Sequence, residues 1–127
     1  MEEILNPYEV GLLCGRANIY FKQDRRKENV YSFRFEIWIP FDKFISSDIR
    51  IALKKLKENG FNIRVSSKET GIKNQSHRYS LNKKSDVARL IKLFDRVYPR
   101  NALMKRWNIL KSAYPEVYKK HYAVYFE

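Results

Sequence analysis

Apolar and polar residues alternate strictly from 30 to 39, where the chain reads VYSFRFEIWI. A period of two residues is typical of a β-strand that buries one face and leaves the other open. The segment from roughly 18 to 23 has the same period, and charged residues 24–29 lie between the two. The sequence therefore predicts an antiparallel hairpin. Its second strand places Tyr31, Phe33, Phe35, Ile37 and Ile39 on the core face and Ser32, Arg34, Glu36 and Trp38 on the other.

A second hairpin is predicted from strands over 61–67 and 76–82, joined by the polar loop 68–75. Phe61, Ile63 and Val65 alternate with polar residues, so we expect them to point into the core. In the partner strand, Tyr79 and Leu81 alternate with polar residues in the same way. Both hairpins are thus expected to present one apolar face and one polar face.

A helical period of apolar residues predicts four helices: over 8–16, from 42 or 47 to 59, over 85–98, and from 101 to 114. Asn6 is the expected N-cap of the first helix, with Glu9 as the reciprocal partner in a capping box. Ser85 and Asn101 are the expected caps of the third and fourth helices. Gly60 suits the position just past the end of the second.

Together these elements run in the order αββαββαα. The predicted fold class is α+β, with a four-stranded antiparallel sheet that carries helices on one face and polar side chains on the other. A chain of 127 residues is expected to form a single domain over 1–127, with its core at about 6–114. The tail 115–127 is expected to pack back on the body as a short helix or an extended arm.

The strongly basic composition gives information about the binding partner rather than about the fold. The formal net charge is +12 and the isoelectric point is near 9.9. Such an excess of Lys and Arg favours a polyanionic partner, above all nucleic acid. No apolar run is long enough to span a membrane, and the acidic start of the chain does not resemble a secretory signal. We therefore expect an intracellular protein of the cytoplasm or nucleoid, with no membrane partner.

One segment, residues 11–21, reads GLLCGRANIYF. It resembles the motif helix and following strand of the LAGLIDADG homing endonucleases, and the likeness of element order extends over about 6–114. Gly11 and Gly15 match the small helix-contact positions of the motif, whereas Cys14 and Arg16 stand at its two acidic positions. The resemblance implies a homodimer, because members with one motif pair their motif helices across a two-fold axis. The dimer interface would then include Val10, Gly11, Leu12 and Gly15; the alternative is that the glycines pack against helices of the same chain.

The departures from the motif imply that catalysis is lost. Family members use one acidic residue from each motif to hold divalent metal, and Arg16 occupies that position here. Arginine is permanently cationic and cannot ligate a metal ion, and the thiol of Cys14 is a poor ligand for Mg²⁺. We therefore expect no catalytic residue, no metal site, no cofactor and no enzymatic activity.

The polar face of the sheet is the predicted site of binding to double-stranded DNA. Arg, Asn and Ser suit base edges in the major groove, and cations in turns suit phosphates. The family commonly places a lysine of this region near its active site, and the resemblance leaves open whether Lys105 or Arg106 corresponds to it. The predicted DNA-binding residues are Asn18, Tyr20, Lys22, Arg25, Arg26, Lys27, Ser32, Arg34, Glu36, Trp38, Asn62, Arg64, Ser66, Lys68, Arg78, Ser80, Asn82, Lys105 and Arg106.

Three alternatives to a non-catalytic, sequence-selective duplex DNA binder stay open. The first is an RNA-binding protein that assists splicing, with bases stacked on Tyr20 or Trp38. The second is a residual metal-dependent endonuclease that uses Glu9, Glu36 or Asp24. The third is an interaction module whose basic sheet binds an acidic protein.

Overall fold

The computed structural model describes residues 4–24, 30–39, 43–67, 77–98 and 101–127. In these ranges helices and strands follow one another in an α+β order, which confirms the predicted class. The elements are α1 (Pro7–Arg16), β1 (Ala17–Asp24), β2 (Val30–Ile39), α2 (Lys43–Glu58), β3 (Arg64–Ser67), β4 (His77–Leu81), α3 (Lys84–Val97), α4 (Ala102–Ala113), α5 (Pro115–His121) and a 3₁₀ turn (Ala123–Phe126).

The strands are ordered β1-β2-β4-β3 and every neighbouring pair is antiparallel. The pairing of β1 with β2 is continuous from Ala17 opposite Ile37 to Asp24 opposite Val30. β4 pairs with the other edge of β2 without interruption. β3 is only a short addition at the sheet edge, and its register shifts between Val65 and Ser67. The continuous part of the sheet is therefore β1, β2 and β4.

The inner face of the sheet carries the core. Phe33, Phe35 and Ile37 are completely buried, as the alternation along β2 predicts. Helices α3 and α4 cover this face: the ring of Phe35 packs 5.7 Å from that of Phe94, and the ring of Phe33 meets Trp107 edge-on at 5.4 Å. Burying large apolar side chains of this kind contributes about 1.5–3 kcal/mol each, so this layer is the main source of stability.

Helix α1 begins with the predicted capping box. Asn6 accepts a hydrogen bond from the Glu9 N–H at 2.8 Å, and Glu9 accepts one from the Asn6 N–H at 3.0 Å. Glu9 is nevertheless buried and forms an ion pair with Lys55 of α2 at 2.8 Å. The side chain of Lys55 is 41% exposed, and its ammonium lies against this buried carboxylate. At its other end, α1 passes directly into β1 through an extended Ala17.

Two predicted boundaries differ from the structure around Asp86. Strand β3 begins at Arg64 rather than at 61, because the N–H of Asn62 donates to the buried carboxylate of Asp86 at 2.9 Å instead of to a strand. Helix α3 begins at Lys84, so Ser85 lies inside its first turn and is not the cap. The preceding residue, Lys83, is the N-cap and makes no side-chain capping bond.

The C-terminal tail packs back on the body as a short helix and a 3₁₀ turn. Tyr122 is completely buried, and its hydroxyl accepts a hydrogen bond from the Phe33 N–H at 2.8 Å. Trp107 meets the rings of Tyr122 and Phe126 at 5.8 and 5.7 Å. The tail therefore completes the core around α4. It does not hide Trp38, which remains 41% exposed. Among the described residues, no helix is both long enough and apolar enough to cross a membrane.

Candidate nucleic-acid interface

The sheet face opposite the helices, called the outer face below, gathers most of the predicted binding residues. The strand register puts Asn18 opposite Glu36, and Ser80 lies opposite both Glu36 and Arg64, so one row of polar residues crosses four strands. Neighbouring rows pair Tyr20 with Arg34 and Trp38 with Arg78. The outer face comprises Asn18, Tyr20, Lys22, Ser32, Arg34, Glu36, Trp38, Arg64, Arg78, Ser80 and Asn82.

Glu36 lies at the centre of this face but is only 4% exposed. The Tyr20 hydroxyl donates a hydrogen bond to one carboxylate oxygen, and Arg78 forms an ion pair with the other at 3.4 Å. Ser80, its cross-strand neighbour, is likewise 2% exposed. The prediction that Glu36 and Ser80 stand open to a ligand is therefore wrong, because longer neighbouring side chains take them out of water. Glu36 instead connects β1 and β4 through β2.

Burial raises the pKa of the Tyr20 phenol above its ordinary value, and the bond to Glu36 acts in the same direction. The nearby guanidinium of Arg34 opposes the rise. Tyr20 is consequently protonated at neutral pH and serves as a hydrogen-bond donor to the carboxylate. A protonated phenol in this place donates to the Glu36 carboxyl group beside Arg78 without adding negative charge to the face.

Trp38 and Arg78 form a cation–π pair on the outer face. The guanidinium carbon of Arg78 lies 4.7 Å from the centre of the indole ring, within the range at which such pairs attract. The indole is 41% exposed. The face thus presents the partly exposed indole of Trp38 beside the guanidinium of Arg78, which is held in place by its ion pair with Glu36.

Arg34 and Arg64 supply the other cations of the face. The Nε of Arg34 donates to the side-chain oxygen of Asn82 at 3.0 Å, which fixes the orientation of the guanidinium. Arg64 is exposed and makes no ion pair with any carboxylate in the described part of the chain. Three arginines on one face, one of them exposed and two half-buried, create a positive surface to which phosphates and guanine edges are suited.

Helix α4 extends the face at its β1 edge. Arg106 donates a hydrogen bond to the side-chain oxygen of Asn18, so this exposed arginine lies next to the polar row. Lys105 is exposed on the same helix. The sequence leaves the choice between these two basic residues open. In the structure, Arg106 is the one that contacts the sheet, through its hydrogen bond to Asn18.

The two positions that match the acidic residues of the motif lie at the end of α1. Arg16 is exposed in its last turn. Cys14 is half-buried, and burial raises the pKa of its thiol to about 11. The thiol is therefore neutral at physiological pH, when it is neither a metal ligand nor a good nucleophile. Residues 4–24, 30–39, 43–67, 77–98 and 101–127 contain no group of three or more His, Cys, Asp or Glu placed to hold a metal ion.

The four residues predicted for a dimer interface do not share one environment. Val10 is completely buried in the core of its own chain, so it cannot contact a second copy in this structure. A Cβ on Gly11 would lie 3.4 Å from the Tyr98 hydroxyl, which itself donates to the Pro7 carbonyl at 3.0 Å. Gly11 is thus packed against its own chain, as the alternative interpretation has it. Leu12 is half-buried. Gly15 is exposed, and a Cβ built on it would have no atom from outside its own stretch of helix within 4 Å.

The remaining predicted residues are placed as follows. Asn62 is exposed just before β3, and Ser66 belongs to β3 itself. Lys22 and Ser32 are half-buried neighbours on β1 and β2. Arg25, Arg26, Lys27 and Lys68 lie outside the described residues.

Sequence reasoning missed one basic cluster, on the helix side. Arg50, Lys54 and Lys57 line a pocket together with Leu53 and Tyr79. Their spacing along α2 by four and then three residues was the available signal, since such residues share a helix face.

Comparison with known proteins gives a limited result. No protein-family model matches the chain, and no curated protein matches it. Among solved structures, the chain is similar to the I-SmaMI LAGLIDADG homing endonuclease bound to cleaved DNA, with a TM-score of 0.47 and 16% identity. A mutant of I-SmaMI gives a TM-score of 0.46 and 15% identity. In both comparisons the match covers 74% of this chain but only 30% of the endonuclease chain.

Proposed function

We propose that this chain is a non-catalytic, sequence-selective duplex DNA-binding protein that acts as a regulator or architectural factor. The observation that carries the proposal is the outer face, where Arg34, Arg64 and Arg78 lie on three strands of the sheet. Asn18 lies on β1 beside them, and Asn82 directly follows β4. Two adjoining antiparallel strands fit the major groove, and arginine pairs bidentately with guanine. The net charge of +12 supports binding to phosphates.

Preorganisation of the face supports sequence selectivity over simple charge attraction. Asn82 orients Arg34, Glu36 orients Arg78, and Asn18 accepts from Arg106. Side chains held in this way lose less conformational entropy on binding than free lysines would. Fixed guanidinium groups can therefore distinguish base edges as well as attract phosphates.

The proposed form on DNA is a homodimer, which would present two outer faces to two half-sites. The exposed surface of α1 supports it. Tyr8, in the first turn of α1, is 57% exposed, and its hydroxyl donates a hydrogen bond to Asp48 of α2. Phe44 and Ile51 of α2, one turn from Asp48 on either side, are 85% and 49% exposed. Exposed apolar surface of this kind is typical of a protein contact.

Binding of RNA or single strands is the second candidate, and the exposed Trp38 favours it. A base could stack on the indole face, since aromatic side chains bind unpaired bases regardless of sequence. The third candidate, a rewired endonuclease, finds less support. Glu9 is engaged in the cap of α1 and with Lys55, and Glu36 is held between Tyr20 and Arg78. Both carboxylates are thus committed to structural partners.

Selection from a pool of randomised duplex DNA tests the proposal. It is performed in Mg²⁺ at about physiological salt, where nonspecific binding is already weak. The wild-type protein is expected to enrich a two-fold-symmetric site and leave it uncut. The variant Arg34→Ala/Arg64→Ala is expected to lose the enrichment, since each arginine–guanine pair is worth about 1–3 kcal/mol. The control Lys119→Ala/Lys120→Ala removes the same charge from exposed positions on α5 and is expected to keep it.

Three results would contradict the proposal. Enrichment of no sequence by the wild-type protein would rule out selective duplex binding. Cleaved products that require Mg²⁺ would establish a nuclease. Equal loss in the two double variants would show that net charge, and not the outer face, is responsible.

A further inference from the structure

A second basic surface lies on the helix side of the sheet, away from the outer face. Its pocket is lined by Arg50, Leu53, Lys54 and Lys57 of α2 and by Tyr79 of β4. Tyr79 lies opposite Ile37, which is buried beneath the helices, so its side chain belongs to the inner face. The pocket is therefore formed where α2 passes over β4.

Charge at the rim of this pocket is unbalanced. Arg50, Lys54 and Lys57 are all exposed, and none of them is paired with a carboxylate in the part of the chain that the structure describes. Like charges three or four residues apart in a helix destabilise it by about 0.2–0.5 kcal/mol per pair. Lys57 lies in the last turn, where the helix dipole favours a cation. Arg50 and Lys54 lie mid-helix and have no such compensation.

The floor of the pocket is apolar. Leu53, which is 4% exposed, and the half-buried ring of Tyr79 line the pocket together with the cations. An apolar and aromatic floor under a cationic rim suits a ligand with a flat ring and a negatively charged group. A nucleotide has both, because its base stacks on aromatic rings and its phosphate pairs with cations.

The row of cations is longer than one anion requires. Lys57 lies seven positions after Arg50 in the helix, a rise of about 10 Å. A row of that length follows successive phosphates of a strand. We propose that the α2 pocket binds single-stranded nucleic acid, with a base on Leu53 and Tyr79 and neighbouring phosphates on Arg50, Lys54 and Lys57. This site is separate from the outer face and does not depend on the function proposed for it.

Binding of a labelled oligothymidylate of about six nucleotides tests the inference, with fluorescence anisotropy as a function of salt. The variant Arg50→Gln/Lys54→Gln/Lys57→Gln is expected to bind oligothymidylate at least about tenfold more weakly than the wild type. The slope of log K against log salt is expected to fall by about 2, because three phosphate contacts to a single strand are lost. The matched control Lys83→Gln/Lys119→Gln/Lys120→Gln removes three exposed charges elsewhere and is expected to keep both quantities near wild type.

A second variant separates stacking from charge. Tyr79→Leu keeps an apolar side chain in the pocket but removes the ring. It is expected to lower affinity about 5- to 160-fold, the range for one lost stacking contact. Folding of each variant is checked by circular dichroism. In Tyr79→Leu, binding of a short duplex through the outer face is expected to be unchanged. In Arg34→Ala/Arg64→Ala, duplex binding is expected to be lost while binding of oligothymidylate is kept. Failure of one site is thereby distinguished from failure of the other.

Several results would overturn the inference. Inorganic polyphosphate that binds as tightly as oligothymidylate would show a charged surface without base recognition. A copolymer of glutamate and tyrosine that displaces oligothymidylate at lower concentration would assign the pocket to an acidic protein. Equal loss in the two triple variants, or full affinity in Tyr79→Leu, would show that the pocket is not the site.

Discussion

At the scale of the residue, the outer face depends on Glu36, a carboxylate that accepts from Tyr20 and pairs with Arg78 across three strands. A buried carboxylate without partners would be costly, but two partners that keep its charge satisfied make it a link between strands. It also sets where Arg78 lies over Trp38. A change at Glu36 is therefore expected to affect both stability and binding.

The substitution Glu36→Gln tests that role. Glutamine keeps the size of the side chain but removes the charge, so Arg78 loses its ion pair and Tyr20 donates to a weaker acceptor. We expect the free energy of unfolding in urea to fall by about 1–3 kcal/mol, the cost of an unsatisfied charged hydrogen bond. Glu58→Gln, at an exposed position on α2, is the control and should change it by no more than about 0.5 kcal/mol. Equal effects of the two substitutions would mean that Glu36 is not a link.

The contribution of Tyr122 to the stability of the folded chain depends on pH, and its direction follows from the raised pKa of the phenol. Burial raises the pKa of its phenol from 10.0 to about 12, while the hydrogen bond from Phe33 lowers it in part. Between these values the unfolded chain has lost the proton and the folded chain keeps it, so this group makes stability fall as pH rises from 10 towards 12. Below pH 10 its contribution is fully present.

The substitution Tyr122→Phe should therefore act differently at two pH values. Near neutral pH it leaves the Phe33 N–H without an acceptor and is expected to cost about 1–3 kcal/mol. Above pH 10, urea denaturation of Tyr122→Phe should show a smaller loss of stability than that of the wild type, by about 2.7 kcal/mol across a pKa difference of about two units. Tyr114→Phe, at an exposed ring that stacks on Phe21, is the control. Parallel pH curves for wild type and Tyr122→Phe would contradict the account.

At the scale of the element, local patterns predict the inner face of β2 and the caps of α1 and α4. Alternation alone identifies Phe33, Phe35 and Ile37 as buried, and the side chains of Asn6 and Asn101 cap their helices as their positions indicate. These features depend on residues within a turn or two of one another. Sequence therefore suffices for them.

Features that depend on distant partners could not be predicted. Glu36 is buried because Tyr20 and Arg78, on other strands, reach across to it. Lys55 is drawn to Glu9, which is 46 residues away. Strand β3 starts late because Asp86 of α3 takes the Asn62 N–H, 24 residues away. Each case is a buried carboxylate whose partner is set by the tertiary fold, and period-two or period-3.6 patterns contain no information about such pairs.

The exposed surface of α1 allows a test of the proposed dimer. Nothing lies within 4 Å of a Cβ built on Gly15. In a monomer, Gly15→Ala is expected to raise the free energy of unfolding by about 0.5–1 kcal/mol, since alanine is the better helix former. In a dimer with α1 at its axis, the added methyl group should weaken association, measured by sedimentation equilibrium. Gly11→Ala, whose Cβ would only meet Tyr98 of the same chain, is the control. Unchanged association in Gly15→Ala would argue against a contact at this position.

At the scale of the whole molecule, the sheet separates two basic surfaces. The outer face holds ordered arginines beside an exposed indole, and the helix side holds the α2 pocket with its row of cations. The cations behind the net charge of +12 are thus not spread evenly, because they form two clusters with different geometry. The account assigns duplex DNA to the first and a single strand to the second.

The central claim is that duplex DNA binds to the outer face, and the chain contains two indoles that report on it. Trp38 lies on that face and is 41% exposed, whereas Trp107 is 1% exposed in the core. We would follow the amide and indole N–H resonances by heteronuclear NMR while adding the duplex enriched from the random pool. The account predicts that the Trp38 indole and the amides of β1, β2 and β4 shift, while the Trp107 indole and the amides of α2 stay in place. Shifts confined to α2 or α4, or none at a saturating concentration of duplex, would contradict it.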